Sequence, residues 1–296
     1  MAALTDRLTL LGVTGFITED ETDVSEFLAE SRKYWDYVDE KFLASVRGVC
    51  RVKFYLEASD AGRAELARLM EALPDCAPEV RTVRDEDWEN NWKQYYKPLR
   101  VGKKLLIVPE WEETPETEGR AVLRLDPGLN FGTGKHATTQ LCLEALEETV
   151  RPGVQMLDLG CGSGILAIAA LLFGAAEAVG CDIDDKAPET VMANAALNGF
   201  GSDRISVLCG DVLGEGPIRR ALAGRRFAVV TANIVADAVI ALAPAAREYL
   251  LPGGVFIASG IIDGRQNGVR AALEAAGFPG PELRSRDGWN AFVCRT

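Results

Sequence analysis

From about residue 150 onward the chain alternates short apolar runs with segments of helical spacing, and that alternation leaves few folds open. Val154–Leu159, Ala178–Asp182, Ile205–Leu208, Phe227–Ala232 and Val255–Gly260 read as strands. Ile165–Phe173, Glu189–Leu197 and Ala236–Leu250 read as the helices between them, and Trp289–Cys294 adds a closing strand. Strand, helix, strand in succession predicts a parallel sheet with helices on both faces, a doubly wound α/β domain.

The first part of the chain is patterned differently. Val46–Leu56 reads as a strand, and Ala61–Leu73 as a helix with Leu66, Leu69, Met70 and Leu73 on one face and Pro74 as its stop. A short strand at Val80–Val83 completes a small α+β domain over residues 1–85. The cluster Tyr34-Trp35-Asp36-Tyr37 is either a partner surface or ordinary amphipathic packing. Between the two regions, Trp88, Trp92 and Tyr95 recur at helical spacing up to Pro98. This predicts a linker helix over 86–100, with the larger domain at 101–296. Within that domain, Lys104–Val108 and Arg120–Leu125 read as strands around an acidic, turn-rich stretch. A length of 296 residues suits two domains.

Charge narrows the range of partners. The chain carries 32 Lys and Arg against 44 Asp and Glu, a formal charge of −12 spread over both halves. Phosphate contacts dominate nucleic-acid affinity, so this balance disfavours a nucleic-acid partner and suits a basic one. The seven cysteines have no C-x-x-C spacing and there is a single histidine, which argues against a zinc site and for reduced thiols. The N-terminus has no apolar stretch of signal-peptide length, and no run is long enough to span a bilayer. A cytoplasmic protein is expected.

The chemistry concentrates at Met156-Leu-Asp-Leu-Gly-Cys-Gly-Ser-Gly-Ile-Leu166, a strand entering a glycine-rich turn and then a helix. Gly160, Gly162 and Gly164 let the backbone turn tightly and come close to a ligand. The end of the first strand is where such sheets bind ligands. The spacing is G-x-G-x-G rather than the dinucleotide G-x-G-x-x-G, and no Gly-Lys-Ser/Thr follows, so neither a nicotinamide site nor a P-loop fits. Asp182 ends the next strand, at a distance where a carboxylate can take both hydroxyls of a ribose. Asp211, placed at the end of the third strand, is either a ligand contact or the cap of a turn at Gly210. Asn233 ends the fourth strand, where it either orients a substrate or opens the following helix as an Asx turn. A further loop, Asp126-Pro-Gly-Leu-Asn-Phe-Gly-Thr-Gly-Lys-His-Ala-Thr-Thr139, precedes a helix expected to begin near Gln140. Thr138 and Thr139 stand where hydroxyls cap a helix, and the loop holds His136, the lone histidine.

The acidic-x-Gly-x-Gly-x-Gly motif resembles that of class I S-adenosylmethionine-dependent methyltransferases, whose core is a Rossmann-like sheet of seven strands with the last antiparallel. That resemblance implies that Asp158 and the Gly160–Gly164 loop lie by the methionine part of S-adenosylmethionine. It puts Asp182 on the ribose and Asp211 near the adenine. DPGLNFGTGKHATT, DLGCGSGILAIAAL, GCDID and ANI together look like the PrmA family of ribosomal protein methyltransferases, as do DWENNWKQYYKPLRVGKKLLIVPEWE and GWNAFVCR. The similarity covers roughly residues 45–296. It implies cofactor binding by Thr139, Gly160, Asp182 and Asn233, and an N-terminal domain that presents the substrate. The implied activity is methyl transfer to lysine ε-amines and an α-amine of large-subunit ribosomal protein eleven, free or on the ribosome. Other proteins' lysines, or a non-catalytic cofactor-binding scaffold, are the alternatives. Glutamine methylation is disfavoured, because Ala-Asn-Ile-Val stands where release-factor enzymes have Asn-Pro-Pro-Tyr. The expected chemistry needs no metal. Asn233 positions the amine, Phe131 walls the site, and His136 either accepts a proton or only holds the loop.

Overall fold

A computed structural model describes residues 4, 7, 8, 11, 13, 16–20, 50–54, 56–74, 76, 78–80, 96–126, 134–214 and 216–296. The chain divides into two compact units, Met1–Tyr95 and Tyr96–Thr296.

In the first unit, β1 (Phe16–Asp20) pairs antiparallel with β2 (Cys50–Phe54), with Phe16 opposite Phe54. Helix α1 (Asp60–Ala72) starts at Ser59, whose hydroxyl accepts from the Gly62 N–H. Its Leu69, with Leu73 just beyond, buries against Leu8 and Val13, and Val52 and Phe54 of β2 pack on that cluster. The expected helix is therefore present, one residue earlier at each end. The expected strand is shorter than Val46–Leu56, and β1 is additional. Val80 is exposed and outside any strand. Residues 81–83, the cluster at 34–37 and the aromatic stripe of the linker lie outside the described residues. The end of the 86–100 range is not helical, because Leu99 and Arg100 begin a strand.

The second unit opens with a three-stranded sheet of β3 (Leu99–Val101), β4 (Leu105–Pro109) and β5 (Ala121–Leu125). β3 and β4 are antiparallel, whereas β4 and β5 run parallel. Two side chains of the later helix α4 (Ala187–Leu197) and its C-cap secure the end of β5. Asn198 exchanges two hydrogen bonds with the backbone of Arg124, and Asn194 accepts from the Asp126 N–H at 3.0 Å.

The remaining elements are α2 (Ala137–Thr149), β6 (Gln155–Leu159), α3 (Ile165–Leu172), β7 (Glu177–Asp182), α4, and β8 (Ile205–Cys209). After these come α5 (Pro217–Ala221), β9 (Phe227–Asn233), α6 (Ala236–Tyr249), β10 (Leu250–Ile262), α7 (Gln266–Ala275), β11 (Glu282–Arg286) and β12 (Trp289–Arg295). Seven strands form one sheet in the order β11-β12-β10-β9-β6-β7-β8. β12 is antiparallel to both neighbours, and the central pairs are parallel. This is the expected doubly wound α/β fold, Rossmann-like, with its last strand reversed.

Its core lies in two clusters. One gathers Met156, Ile168, Val229, Ile257 and Leu146, and the other Leu157, Val230, Phe256, Phe292 and Val239. Successive residues of β6 and β9 fall into different clusters, as alternation across a sheet buried on both faces requires. In this unit β3, α5, α7 and the edge strand β11 were not expected. Several predicted ends also move: Leu250 belongs to β10 rather than to the helix before it, Phe173 caps α3, and α4 starts at Ala187 rather than Glu189. The described cysteines 76, 142, 161, 181, 209 and 294 are all free thiols. Among the described residues no helix is long and apolar enough to cross a membrane, and no cluster of three potential ligands could hold a metal ion.

Candidate functional site

The chain reverses its direction of winding between β6 and β9: β7 and β8 lie on one side of β6, while β9 and β10 lie on the other. In an open α/β sheet the crevice beyond the carboxyl ends of the strands at such a point is where ligands sit. Asp158, Gly160 and Asn233 are carried to it by β6 and β9.

The turn after β6 is held by backbone and carboxylate together. The Gly160 and Cys161 N–H groups both donate to the Cys181 carbonyl at the end of β7, at 2.7 and 3.1 Å. Asp182 Oδ2 accepts from the Gly162 N–H at 2.7 Å, and its Oδ1 from the Asp184 N–H at 3.0 Å. Gly160 and Gly164 have φ of +77° and +79°. A Cβ at Gly160 would stand 2.5 Å from the Ile234 side chain, and one at Gly164 2.8 Å from Val191. Both positions therefore require glycine sterically as well as conformationally. Asp182, expected at the ribose, here binds the glycine loop itself, which uses part of its acceptor capacity.

Asp158 is only 1% exposed. Its Oδ1 accepts from the Thr231 hydroxyl of β9 at 2.5 Å, a pairing made possible because Asp158 and Thr231 stand in register. Its Oδ2 has no partner among the described residues. Burial pushes the carboxyl up to about 7, a rise reinforced by the charge of Asp182 and opposed by the Thr231 hydrogen bond.

Asn233 closes β9, and its Nδ2 donates to Thr139 Oγ1 at 3.3 Å. Residues 94 positions apart thus meet at the crevice. Asn233 does not open the next helix, since α6 starts after Val235 with no side-chain cap.

The threonines also have a different role from the one expected. Helix α2 begins at Ala137, not near Gln140, so Thr138 and Thr139 lie inside its first turn. The cap is His136, whose Nδ1 accepts from the Thr138 N–H and lies 2.7 Å from its hydroxyl. The imidazole stands edge-to-face on Trp289 with ring centroids 4.6 Å apart. This packing lowers its pKa by desolvation, although the side chain keeps one exposed side.

Asp211 lies two residues beyond the end of β8 and caps its own turn, its Oδ1 accepting from the Leu213 N–H at 2.8 Å. Its side chain is exposed, and this bond makes it the cap of the turn after β8. Phe131, with the rest of 127–133, lies outside the described residues.

Three contributors were missed in the sequence. Thr231 was visible only as a polar residue inside an apolar strand. Ile183 is 78% exposed immediately after Asp182, an apolar surface presented to solvent beside a carboxylate. Buried Asn194 joins two loops, donating to the Ser163 carbonyl of the glycine turn and accepting from Asp126. Asparagine on a helix interior face was the available signal.

Comparison with known proteins places this geometry in a family. The profile of the family described as ribosomal protein L11 methyltransferase (PrmA) matches residues 1–296, which extends the similarity to the N-terminal segment. The ribosomal protein L11 methyltransferase of Pelotomaculum thermopropionicum is 40% identical over 292 residues, spanning 96% of this chain and 91% of the relative. That of Desulfitobacterium hafniense is 39% identical over 297 residues, spanning 97% and 91%. Among solved structures, the ribosomal protein L11 methylase of Lactobacillus delbrueckii subsp. bulgaricus superposes with a TM-score of 0.60 at 32% identity. That match covers 67% of this chain and 98% of the solved one. With its whole length matched and a doubly wound sheet carrying a glycine turn at the switch point, the chain belongs to the ribosomal protein L11 methyltransferase (PrmA) family.

Proposed function

We propose that this protein transfers methyl groups from S-adenosylmethionine to lysine ε-amines and an α-amine of ribosomal protein L11. The observation that carries the reading is the convergence of Asp158, the Gly160–Gly164 turn and Asn233 at one switch point, in a chain of this family. The residues present fit the cofactor. The idle Asp158 Oδ2 suits the ammonium of its methionine part, and the glycine turn leaves room where a Cβ would intrude. Asp182 suits the ribose hydroxyls, with the exposed Ile183 as an apolar platform for the adenine and Asp211 near its edge. Unit 1 recruits the ribosomal protein.

Bound there, the cofactor supplies a methyl group on a cationic sulfur that departs without help from an acid. The chain's task is therefore to present an unprotonated nitrogen. Deprotonating a lysine with pKa about 10.4 at pH 7 costs roughly 4.6 kcal/mol, and an α-amine near 7.8 about 1 kcal/mol. Asn233, held by Thr139, orients that nitrogen through its amide or backbone carbonyl, and positioning of this kind contributes several kcal/mol.

His136 is better suited to holding the loop than to taking a proton. Its Nδ1 lies 2.7 Å from the Thr138 hydroxyl and 3.4 Å from the Thr138 N–H, and its ring packs on Trp289, contacts that fix the imidazole at the start of α2.

The test uses labelled cofactor and whole ribosomal proteins from a strain lacking the enzyme. Label on L11 amines is expected. Label on RNA, or on no protein, would overturn the proposal.

A further inference from the structure

The closing hairpin is the part of the molecule that the proposed reaction has not yet used. β11 and β12 are joined by Asp287 and Gly288, with φ of +50° and +79°. Left-handed conformations at both central residues are what a two-residue hairpin needs. Arg286 and Trp289 are consequently opposite one another at its tip.

Both side chains reach the start of α2. The Arg286 guanidinium makes two parallel bonds to the Glu144 carboxylate, each 3.1 Å, and also donates to Gln140 Oε1 at 3.1 Å. The other end of the Gln140 amide donates to the Lys135 carbonyl at 2.9 Å. Trp289 meets the ring of His136. On the far side, the Lys135 ammonium lies 4.5 Å above the Tyr96 ring. Residues 135 and 136 are therefore gripped by a carbonyl bond, a ring contact and a cation–π contact, through side chains from α2, from β12 and from the chain before β3.

The amide of Gln140 is the connecting piece. It uses its oxygen toward Arg286 and its nitrogen toward Lys135, and only a group with both donor and acceptor can do this. The bidentate pair with Glu144 fixes the guanidinium plane, so that Gln140 meets a preorganised donor.

We infer that Gln140, oriented by Arg286, is a positioning residue that holds the Lys135 backbone and thereby sets His136 against Trp289 for the methyl transfer. The catalytic part of this inference rests on the proposed function; the geometric part does not.

The decisive variant is Gln140→Glu. It keeps an acceptor for Arg286, with added charge attraction, but cannot donate to the Lys135 carbonyl. His136 is the only histidine in the chain, so its imidazole protons give one unambiguous NMR signature. In the parent protein those signals are expected to be displaced by the ring current of Trp289, and Trp289→Leu calibrates the loss of that displacement. Gln140→Glu is expected to lose most of it while melting within a few degrees of the parent. Turnover on L11 is expected to fall roughly tenfold, with S-adenosylhomocysteine affinity unchanged. Gln140→Asn serves as a second variant, since its amide is too short to bridge and introduces no charge. It is expected to behave as Gln140→Glu does.

Histidine signals in both variants that superpose on the parent would overturn the positioning role, whatever the activity. Displaced signals with undiminished turnover would remove its connection to the reaction. Should the parent protein methylate no ribosomal protein, the functional reading falls, and the NMR arm still decides whether Gln140 positions His136.

Discussion

Replacing Asp158 by Asn gives a quantitative test of the buried carboxyl at the switch point. An aspartate in the unfolded chain titrates at 3.8, whereas burial pushes the folded carboxyl up to about 7. Between those values the folded protein holds a proton that the unfolded chain has released. Stability contributed by the neutral acid is therefore full below pH 3.8, declines as pH rises, and is lost above about 7. At about 1.36 kcal/mol per pH unit the whole loss is about 4 kcal/mol, of which about 2.5 kcal/mol falls between pH 5 and pH 8. Asn has nearly the shape of the neutral acid, accepts from Thr231 in the same way and does not titrate. The relevant measurement is urea unfolding of both proteins at 25 °C across pH 5 to 8.5, followed by tryptophan fluorescence. The stability of Asp158→Asn relative to the parent should rise by about 2.5 kcal/mol across this range and flatten above pH 7.5. A constant offset, such as an unpaired Asn amide would impose, leaves that slope untouched. A difference independent of pH would refute the raised carboxyl and with it the account of the site's electrostatics.

The same group predicts that S-adenosylhomocysteine binds more tightly as pH rises from 6 to 8, because an ionised Asp158 pairs with its ammonium. Calorimetry should find that trend absent in Asp158→Asn. Gly164→Ala forces a left-handed alanine against Val191 and should cost about 2 to 4 kcal/mol, lowering the melting temperature by several degrees. Asn233→Ala should cut turnover by roughly ten- to a hundredfold, more than it weakens cofactor binding. With chemistry rate-limiting, the rate on lysine should climb with pH well beyond neutrality; a profile flat from pH 6 to 10 would remove the neutral-amine step.

Much of the architecture was legible because it rests on local physics. The alternation from Val154 onward specified a doubly wound sheet, since strands buried on both faces must be apolar throughout and helices need a repeating face. Gly160 and Gly164 announced a turn that no other residue could make. The hairpin at Asp287-Gly288 had its own two-residue signal, yet β11 escaped notice. Glu-Leu-Arg-Ser-Arg is polar because an edge strand pairs on one side only and its residues are largely open to solvent.

What the sequence by itself determined was the set of residue types at the strand ends: carboxylates after β7 and β8, glycines after β6, and an amide after β9. Tertiary structure decided which of their atoms remain available. Asp182 spends one oxygen on Gly162 and the other on Asp184, Asp211 spends one on Leu213, and Asp158 keeps one idle because Thr231 satisfies only the other. It also made His136, rather than a threonine, the cap of α2, and joined Thr139 to Asn233 and Gln140 to Arg286 across 94 and 146 positions. Local preference acts over a few residues, whereas hydrogen-bond partners at a switch point are brought together only when the sheet orders its strands.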